Sequence, residues 1–545
     1  MSLRKLLPAL LLLGCLFAPA AQAAPDQLSV IMDDDQLLYR GDNTMSRTLV
    51  TAKALGAEAV RVTVLWRTVA EGANLTNAQI KRLKGAKKTK ARLQRARFKA
   101  GDPRTYPTRN WDRFDNVVKK ATDMGLKVYF TLTAPGPAYA HRVAPPSQRA
   151  NAGTYKPIPA RFRQFVEAVG KRFSGNYRDE NAVKRKLPRV SLWSIWNEPN
   201  QAGWLSPQWE TVNGQNVPAS PALYRKLFFA GRQGLAASGH GNDVVLLGET
   251  APMGSPLRGP RNGLRPVPFL RELVCVAPNN TQYTGADATR RGCDDFAKNG
   301  PLKAFAYAHH PYTKKAAPTK APTAPDELTI ANIGLLGKLL DSLSVSSGGK
   351  IAPNLPIVLT EMGYESNPPD PRNGIPLAKQ ADYNALSEFL AFNDPRVKAT
   401  TQFLLRDGAP LKQYPVGSRL YWFTYQSGLY TLRGKAKPAA VAYAFPLVTF
   451  PAGPGTTGLW GQLRFRVNGR KDVVSIFWRA KSDGKSTACG NVAAGWLPQG
   501  LPLPTDFRGY FSGGIPTPGP GGEYCAAYFD PARGKITHQS LPAKP

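Results

Sequence analysis

Two glutamates stand at the ends of apolar segments that are typical of buried strands. Val190–Asn200 (VSLWSIWNEPN) must leave the strand conformation at Pro199, which cannot donate to a strand ladder, and this leaves Glu198 at the strand end. Pro356–Tyr364 (PIVLTEMGY) has the same design and carries Glu361. Because burying a carboxylate inside a sheet is costly, both groups are expected in an open cleft. Two facing carboxylates are the minimal equipment for cleaving a glycosidic bond.

Eight apolar, strand-like segments alternate with amphipathic, helix-like segments between Leu28 and Phe445. This alternation is typical of an α/β fold with a parallel sheet, and eight repeats predict a (β/α)8 TIM barrel. An open doubly wound sheet is the alternative, although no glycine-rich phosphate loop follows any of these segments. The predicted strands are Leu28–Met32, Ala59–Leu65, Lys127–Leu132, Val190–Trp196, Val244–Leu247, Ala304–His309, Pro356–Thr360 and Ala399–Leu405, and the predicted helices include Arg113–Met124, Ala160–Phe173, Ala222–Ala237 and Ala378–Phe392.

The pattern changes after Phe450. Pro451–Gly455 predicts a hinge, and beyond it short alternating segments are separated by Gly and Pro clusters without helical periodicity. We therefore predict a C-terminal β-sandwich domain at residues 451–545, after a barrel at residues 24–450 and a leader at residues 1–23. The predicted sandwich strands are Gln462–Val467, Val473–Arg479, Arg508–Phe511 and Tyr524–Tyr528.

The N-terminal residues predict export. The apolar run Leu6–Ala20 follows two basic residues and precedes a small-residue site, the pattern of a secretory signal peptide cleaved after Ala23. Leu12–Cys15 loosely resembles a lipoprotein cleavage box, but the apolar residues that follow it favour an ordinary signal peptide. The protein is therefore expected to be secreted, with lipid anchoring as the weaker alternative.

Four cysteines remain beyond the leader, and an even number in an exported chain predicts disulfides. Three pairings are formally open, and proximity along the chain favours Cys275–Cys293 and Cys489–Cys525. Because the sequence contains neither a CxxC pair nor an HExxH motif, we expect no metal site and no cofactor.

The chain is strongly basic, with a formal net charge of +35. Such a charge attracts polyanions, and much of it is local, because Lys81–Lys99 holds ten Lys or Arg and no acid. We interpret this run as a solvated, helical excursion that associates with an anionic cell envelope. Contact with an acidic polysaccharide substrate is the alternative. Nucleic acid is not an expected partner, because no aromatic residues beyond Phe98 are interleaved with the basic ones.

The motifs Trp196–Pro199 (WNEP), Thr360-Glu361 and His310–Tyr312 (HPY), together with Arg61 on an early strand, resemble the clan A glycoside hydrolases. That clan includes the family 5 cellulases and the family 39 xylosidases. The resemblance covers roughly the segment from Leu28 to Phe445 and implies a retaining β-glycosidase on a TIM barrel. Clan members place their acid/base and nucleophile on the fourth and seventh strands, which implies those positions for the two glutamates here.

The resemblance implies a role for each motif residue. Glu198 is the expected acid/base and Glu361 the expected nucleophile, which must stay ionised with the help of a nearby cation. Arg61 is the candidate cation, although a structural pairing with Glu58 is the alternative. Asn197 is the expected hydrogen-bond donor to the sugar 2-hydroxyl. Tyr312 is the expected hydrogen-bond donor to the nucleophile.

Two other positions, His310 and Glu249, keep two interpretations. His310 is predicted to lie in the pocket, with a buried core histidine as the alternative. Glu249, at the end of the fifth strand, is a rival carboxylate for which a supporting role is favoured over catalysis. Trp66 is expected to be structural.

Sugar binding requires exposed aromatic faces. Trp204, Trp209 and Tyr139 follow predicted strands and are candidates for stacking on a pyranose, with loop packing as the alternative. Many clan members carry a Trp on the eighth strand, whereas this one reads ATTQFLLRD, so Trp422 is a candidate substitute. Otherwise Gln402 or Arg406 would face the sugar, and an Arg there would suit a uronic acid.

We therefore predict a secreted, retaining glycoside hydrolase that acts on a polysaccharide or oligosaccharide, with an acidic polymer as one alternative. A catalytically inactive barrel that binds glycans or adheres to the cell envelope is the competing hypothesis. Retention of Glu198 and Glu361 argues against it, because a protein that has lost catalysis usually loses such a pair first.

Overall fold

The computed structural model describes residues 26–182, 184–465, 471–480 and 488–545, so the predicted signal peptide and Cys15 lie outside the described residues. Eight parallel strands close into a barrel in which each strand pairs with its neighbours in chain order and the first pairs with the last. The predicted TIM barrel is thereby confirmed. Its strands are β1 (Leu28–Met32), β2 (Ala59–Leu65), β3 (Lys127–Thr133), β4 (Leu192–Ile195), β5 (Val244–Thr250), β6 (Ala306–His309), β7 (Ile357–Met362) and β8 (Val397–Phe403).

Helices lie between consecutive strands, as the alternating pattern predicts. Apolar residues on one face of the helices Asp112–Asp123, Pro159–Arg172, Ser220–Ala237 and Ile333–Ser346 pack against the barrel. The four predicted helices agree with the observed ones to within two residues at each end. The α-helices are Asp42–Ala54, Trp66–Val69, Asn77–Lys81, Gly85–Arg97, Asp112–Asp123, Pro159–Arg172, Ser220–Ala237, Pro266–Leu273, Gly285–Arg290, Asp295–Asn299, Ile333–Ser346, Leu377–Phe392 and Pro438–Ala444.

The register of the barrel brings the carboxyl ends of its strands to one face. Met32 at the end of β1 is level with Arg61 on β2 and with Phe403 on β8. In barrels of this type the segments after the strands form the functional face. A short hairpin, Trp209–Val212 with Gln215–Pro218, lies in the segment after β4 on this face.

Two antiparallel sheets form the C-terminal β-sandwich. One contains Leu447–Gly453, Thr456–Gln462 and Tyr510–Pro516, and the other contains Val473–Arg479, Leu497–Pro504, Glu523–Asp530 and Lys535–Gln539. Apolar residues of both sheets meet in a shared core, among them Leu459, Ile476, Phe511 and Tyr524. The sandwich also packs on the last long barrel helix, where the rings of Phe392 and Tyr510 are 4.6 Å apart.

Some strand predictions in this module are wrong. Pro451–Gly455 is no hinge, because its first residues end a strand and its last ones form a hairpin turn. The strand predicted at Gln462–Val467 ends at Gln462, and residues 466 and 467 lie outside the described residues. The sequence pattern does not predict the strands Leu447–Gly453 and Leu497–Pro504, because both contain Gly and Pro. Edge strands tolerate Pro at positions where no ladder hydrogen bond is needed.

Both favoured disulfides are present, Cys275–Cys293 and Cys489–Cys525. Two disulfides suit an oxidising, extracellular environment. Within the described part of the chain, every helix is too short or too polar to cross a lipid bilayer.

Candidate active site

Four charged side chains converge at the carboxyl ends of the barrel strands. Arg61 comes from β2, Glu249 from β5 and Glu361 from β7, while Glu198 follows β4. The backbone is strained here, because Glu198 and Glu249 have φ angles of 37° and 53°, in the left-handed region that non-glycine residues seldom adopt. A hydrogen bond of 2.9 Å from the Glu198 N–H to the Glu249 carbonyl joins the two strand ends. The fold thus holds the Glu198 backbone in one orientation.

Arg61 is the centre of the polar network. Its guanidinium is completely buried and donates to Glu361 Oε1 at 2.9 Å, to Glu249 Oε2 at 2.8 Å and to Asn197 Oδ1 at 2.9 Å. Burial by itself would lower the pKa of Arg61, but the charges of Glu249 and Glu361 raise it well above its usual value. The alternative partner Glu58 contacts Arg508 of the β-sandwich instead. Arg61 is therefore a permanent cation beneath the nucleophile candidate.

The carboxylates of Glu198 and Glu361 both lie close to one nitrogen atom of His310. His310 Nδ1 is 2.9 Å from Glu198 Oε1 and 3.6 Å from Glu361 Oε2. These two oxygens are therefore at most about 6.5 Å apart, near the ~5–5.5 Å of retaining glycosidases and at the lower limit of the ~6.5–9.5 Å of inverting ones. Tyr312 donates to Glu361 Oε2 at 3.1 Å. Both side chains keep some access, with 21% of Glu198 and 12% of Glu361 exposed.

His310 lies in the pocket, as one of its two interpretations predicts. Its Nε2 atom is buried and has no partner among the described residues, so the neutral ring is expected to keep its proton on Nδ1, facing the carboxylates. Burial would lower the pKa of His310, but the charge of Glu361 and the hydrogen bond to Glu198 raise it above its usual value. The neighbouring His309 differs, because burial lowers its pKa to about 3 and keeps the ring neutral.

Glu249, the rival carboxylate, is closed to substrate. Its side chain has no exposed surface, and it accepts hydrogen bonds from Tyr129, Thr131 and Arg61. A carboxylate in this position cannot reach an anomeric carbon. These contacts suit a supporting role, in which Glu249 shares the charge of Arg61 and fixes its orientation.

Asn197 precedes Glu198 and has a defined orientation. Its Oδ1 accepts from Arg61, and its backbone N–H donates to Thr133 Oγ1 at 3.1 Å. Because the side-chain oxygen is occupied by a donor, the side-chain NH2 is the group left to donate. Asn200 in the same motif is structural, since it bonds Ala251 and Leu264 in the loop after β5.

The three tryptophans that are candidates for stacking on a sugar have different surroundings. Trp204 is partly exposed, and its carbonyl accepts from the Trp196 indole at 3.0 Å. Trp209 packs against the barrel core, with the Arg258 guanidinium 5.4 Å from its ring centre. Trp422 contacts the ring of Tyr421. A role in sugar binding stays a prediction for all three, and Trp209 already has packing contacts on its ring.

Tyr139 packs in the rim beneath the basic segment. Its ring lies edge-on to Phe98 at 5.5 Å, and its hydroxyl is buried. Trp66 stacks on Phe165 at 5.3 Å and is fully enclosed, in agreement with the structural role that the sequence suggests.

Two aromatic residues of the site are absent from the sequence-based set. Phe403 ends β8, and its ring lies 6.2 Å from Tyr312 and 5.4 Å from Tyr425. Burial, followed by the charges of Glu198 and Glu361, raises the pKa of Tyr425, so its hydroxyl lies within electrostatic reach of both carboxylates. A search for aromatic residues of any kind at the end of β8, rather than for Trp, would have found Phe403.

The suggestion that Gln402 or Arg406 faces the sugar is wrong. Gln402 is buried, and its amide donates to the carbonyls of Phe403 and Ser427. The Arg406 guanidinium lies beside Gly434, and Arg406 lines a cavity with Arg47 and Thr51 of the helix Asp42–Ala54. The argument for a uronic acid that rested on Arg406 therefore fails.

Asp34, just after β1, is a further carboxylate at this face. Its Oδ1 accepts from the Thr63 N–H at 3.0 Å, two residues beyond Arg61 on β2. Burial is the main cause that raises the pKa of Asp34 to about 6, while Arg61 lowers it and Glu361 raises it further. Asp34 therefore adds a carboxyl group within electrostatic reach of Arg61 and Glu361.

One cluster of the described residues has the donor set of a metal site. Asp115, Asp179 and Glu180 bring their oxygens within 4.8 Å of one another, away from the residues above. Two basic residues already neutralise them, because Arg172 pairs with Asp115 and Glu180, and Lys119 pairs with Asp179. The cluster is an ion-pair network.

No protein-family model and no curated protein matches this sequence. Among solved structures, the chain is similar to a family 39 glycoside hydrolase from Bacteroides cellulosilyticus WH2, with 13% identity, coverage of 93% of this chain and 81% of that one, and a TM-score of 0.45. It is also similar to a monomeric β-xylosidase from Caulobacter crescentus CB15, with 13% identity, coverage of 91% and 96%, and a TM-score of 0.44.

A third similar structure is a GH5_18 protein from Streptomyces cattleya in complex with GlcNAc, with 14% identity, coverage of 77% and 79%, and a TM-score of 0.44. At these identities and TM-scores no residue role and no conclusion about this chain is transferred from the likeness. The closed barrel of eight parallel strands is established by the strand pairing of this chain itself.

Proposed function

We propose that this protein is a retaining β-glycosidase in which Glu361 is the nucleophile and Glu198 the acid/base. The observation that carries the proposal is the approach of both carboxylates to His310 Nδ1, at 2.9 and 3.6 Å, at the open end of the barrel. The two oxygens are at most about 6.5 Å apart, no wider than the lower limit of the inverting range, and this favours the retaining mechanism.

The first half of the reaction forms a covalent intermediate. Glu361 attacks the anomeric carbon while Glu198 gives its proton to the leaving oxygen. Arg61 and Tyr312 each donate to one oxygen of Glu361, which holds the carboxylate in a fixed orientation for attack. His310 bonds Glu198 Oε1, so Oε2 is the oxygen left to carry the proton.

The second half reverses the roles. Once Glu361 is an ester its charge is gone, and Glu198, now a carboxylate, takes a proton from water as the water attacks the anomeric carbon. The Asn197 NH2 is placed to donate to the sugar 2-hydroxyl, a contact that strengthens as positive charge develops on the ring. Phe403 and Tyr425 supply aromatic faces for the sugar.

Two broader features complete the proposal. The two disulfides, together with the predicted signal peptide, support export of the enzyme. Glu198 and Glu361 converge in the pocket and Asp34 lies within electrostatic reach of Glu361, so a neutral sugar is favoured there over a uronic acid. The β-configuration of the bond follows from the sequence resemblance and forms part of the proposal.

A trapping experiment tests the assignment. A panel of 2-deoxy-2-fluoro aryl β-glycosides, offered after a screen of aryl β-glycosides, should inactivate the enzyme with release of one aryl group per active site. Peptide mass spectrometry should then locate the fluoro sugar on Glu361. Glu249→Gln serves as the matched control, because it removes a neighbouring carboxylate and should still be labelled.

Two results would contradict the proposal. A label on any residue other than Glu361 would overturn the nucleophile assignment. Binding of glycans without turnover, unchanged in Glu361→Gln, would favour the inactive binding protein over an enzyme.

A further inference from the structure

The basic helix Gly85–Arg97 lies on the same face of the barrel as the carboxylate pair. It belongs to the segment between β2 and the helix Asp112–Asp123, and segments that follow barrel strands lie at the functional face. Phe98 anchors its end, with its ring 5.1 Å from Tyr106 and 5.5 Å from Tyr139, which follows β3. The helix is therefore a fixed part of the rim.

Its charges are free of acidic partners. Of the ten Lys and Arg in Lys81–Lys99, all but Lys88 are exposed, and none forms an ion pair with an acid in the part of the chain that the structure describes. Basic residues elsewhere on the surface often do pair, as Arg104 does with Asp102 and Arg185 with Asp123. An uncompensated basic surface of this density attracts polyanions over several ångströms of solvent.

The side chains that lie between the Lys and Arg residues indicate which class of polyanion the helix can bind. Leu93 is the one large apolar residue of the helix, so the helix lacks the apolar face with which amphipathic helices enter a lipid surface. Phe98 is packed into the rim and offers no free ring for stacking on nucleic acid bases. An anionic carbohydrate polymer needs neither feature, since its phosphates or carboxylates are met by Lys and Arg alone.

We propose that the helix Gly85–Arg97 is a binding surface for an anionic carbohydrate polymer, separate from the catalytic pocket. Because the helix lies on the rim, a polymer bound to it runs past the mouth of the barrel. The polymer is then either the substrate or a neighbouring component of the cell envelope.

The experiment compares two charge-matched variants of the full-length protein. The helix variant changes Lys87, Lys88, Lys90, Arg92 and Arg97 to Gln, which preserves helix propensity. The control variant changes five exposed cations outside this helix to Gln, namely Lys127, Lys303, Lys338, Lys398 and Lys412. The probes are fluorescent polygalacturonate and heparin, a single-stranded oligonucleotide, and vesicles of phosphatidylglycerol with phosphatidylcholine.

For polygalacturonate and heparin, we expect the helix variant to bind at least about 30-fold more weakly at low salt, against less than about threefold for the control variant. The slope of log K against log salt should fall by about 3–4 in the helix variant. Cleavage of a small aryl glycoside should be unchanged in both variants, so loss of polymer binding and absence of glycosidase activity are separate results.

Equal weakening in the two variants would overturn the proposal, because net charge alone would then explain the binding. A helix-dependent preference for the oligonucleotide or the vesicles over both polysaccharides would also overturn it. If the polymer is the substrate, the helix variant loses kcat/KM on the polymer alone; if it is an envelope component, no reducing ends are released from it.

Discussion

The Nη1 atom of Arg61 lies 2.9 Å from Glu361 Oε1, and this ion pair is almost completely buried. The same guanidinium reaches Glu249 at 2.8 Å, so one cation serves two carboxylates of which only one has access to the pocket. Charges in such a position stabilise each other only while all partners are present. Removing one of them therefore has consequences for both stability and catalysis.

Replacement of Arg61 by Met should lower the free energy of unfolding by about 3–5 kcal/mol, because Glu249 would remain buried without a cation. Urea denaturation measures the change. The double variant Arg61→Met with Glu249→Gln should regain part of the loss, since the uncompensated charge is then gone. Equal stability of the single and double variants would show that the charge of Glu249 is satisfied elsewhere.

Replacement of Glu198 by Ala should have an effect that depends on the leaving group. An acid is needed most when the departing oxygen is basic, so kcat should fall by about 10²–10⁴ for alkyl glycosides and far less for dinitrophenyl glycosides. Azide should restore turnover of the activated substrate and give a β-glycosyl azide, because the small anion attacks the anomeric carbon of the glycosyl–Glu361 ester directly, releases the Glu361 carboxylate and needs no general base. Formation of the α-azide would mean that the reaction inverts.

The two adjacent histidines should titrate in opposite senses. The pKa of His309 is about 3 because of burial, whereas Glu361 and Glu198 raise that of His310 above its usual 6.5. A pKa that is higher in the folded state stabilises the fold fully below about 6.5, and the contribution is lost as the pH rises through the folded value. NMR of the imidazole nitrogens should therefore show His310 titrating above pH 6.5 and His309 neutral throughout.

Stability measurements provide the matching control for His310. The difference in unfolding free energy between the wild type and His310→Asn should be larger at pH 6 than at pH 9. In Glu361→Gln, the pKa of His310 should fall, because the largest contribution that raises it is removed. A His310 resonance that does not move with Glu361→Gln would contradict the assigned contact.

Truncation of Phe403 to Ala should lower kcat/KM by roughly tenfold, or about 1.4 kcal/mol, the size of an aromatic contact. Its ring contacts Tyr312, which bonds Glu361, so the loss should appear without a large change in the unfolding midpoint. Trp422→Ala is the comparison, because Trp422 is the aromatic that the sequence favours for this role. A larger loss of kcat/KM in Trp422→Ala than in Phe403→Ala would mean that Trp422 makes the more important aromatic contact.

Asp34 should make the enzyme reject anionic sugars increasingly as the pH rises. Its pKa is raised to about 6 mainly by burial, so the side chain becomes charged as the pH passes that value. The ratio of kcat/KM for an aryl glucoside to that for an aryl glucuronide should therefore rise between pH 5 and pH 7. Asp34→Asn should remove this pH dependence, and a ratio that is equally steep in the variant would exclude Asp34 as its cause.

The barrel could be predicted because its signals are local. Buried parallel strands such as Ala59–Leu65 are continuous apolar runs, and the helix Pro159–Arg172 shows one apolar face, so neither depends on distant residues. The β-sandwich was predicted less well. Strands such as Leu497–Pro504 contain Gly and Pro and are exposed on most positions, so their formation depends on partners far along the chain.

The chemistry available at this site follows from the amino-acid sequence: two glutamates at strand ends, a cation on an otherwise apolar strand, and a His and a Tyr two residues apart. Which acid is open and which is enclosed depends on the folded arrangement, because Glu249 and Glu361 end their strands in similar ways but differ in burial. The fold also places Phe403 against Tyr312, which bonds Glu361, and Arg406 beside Gly434 and the helix Asp42–Ala54. Side-chain direction at a strand end depends on bulges and on the register of neighbouring strands, and these are set when the barrel closes.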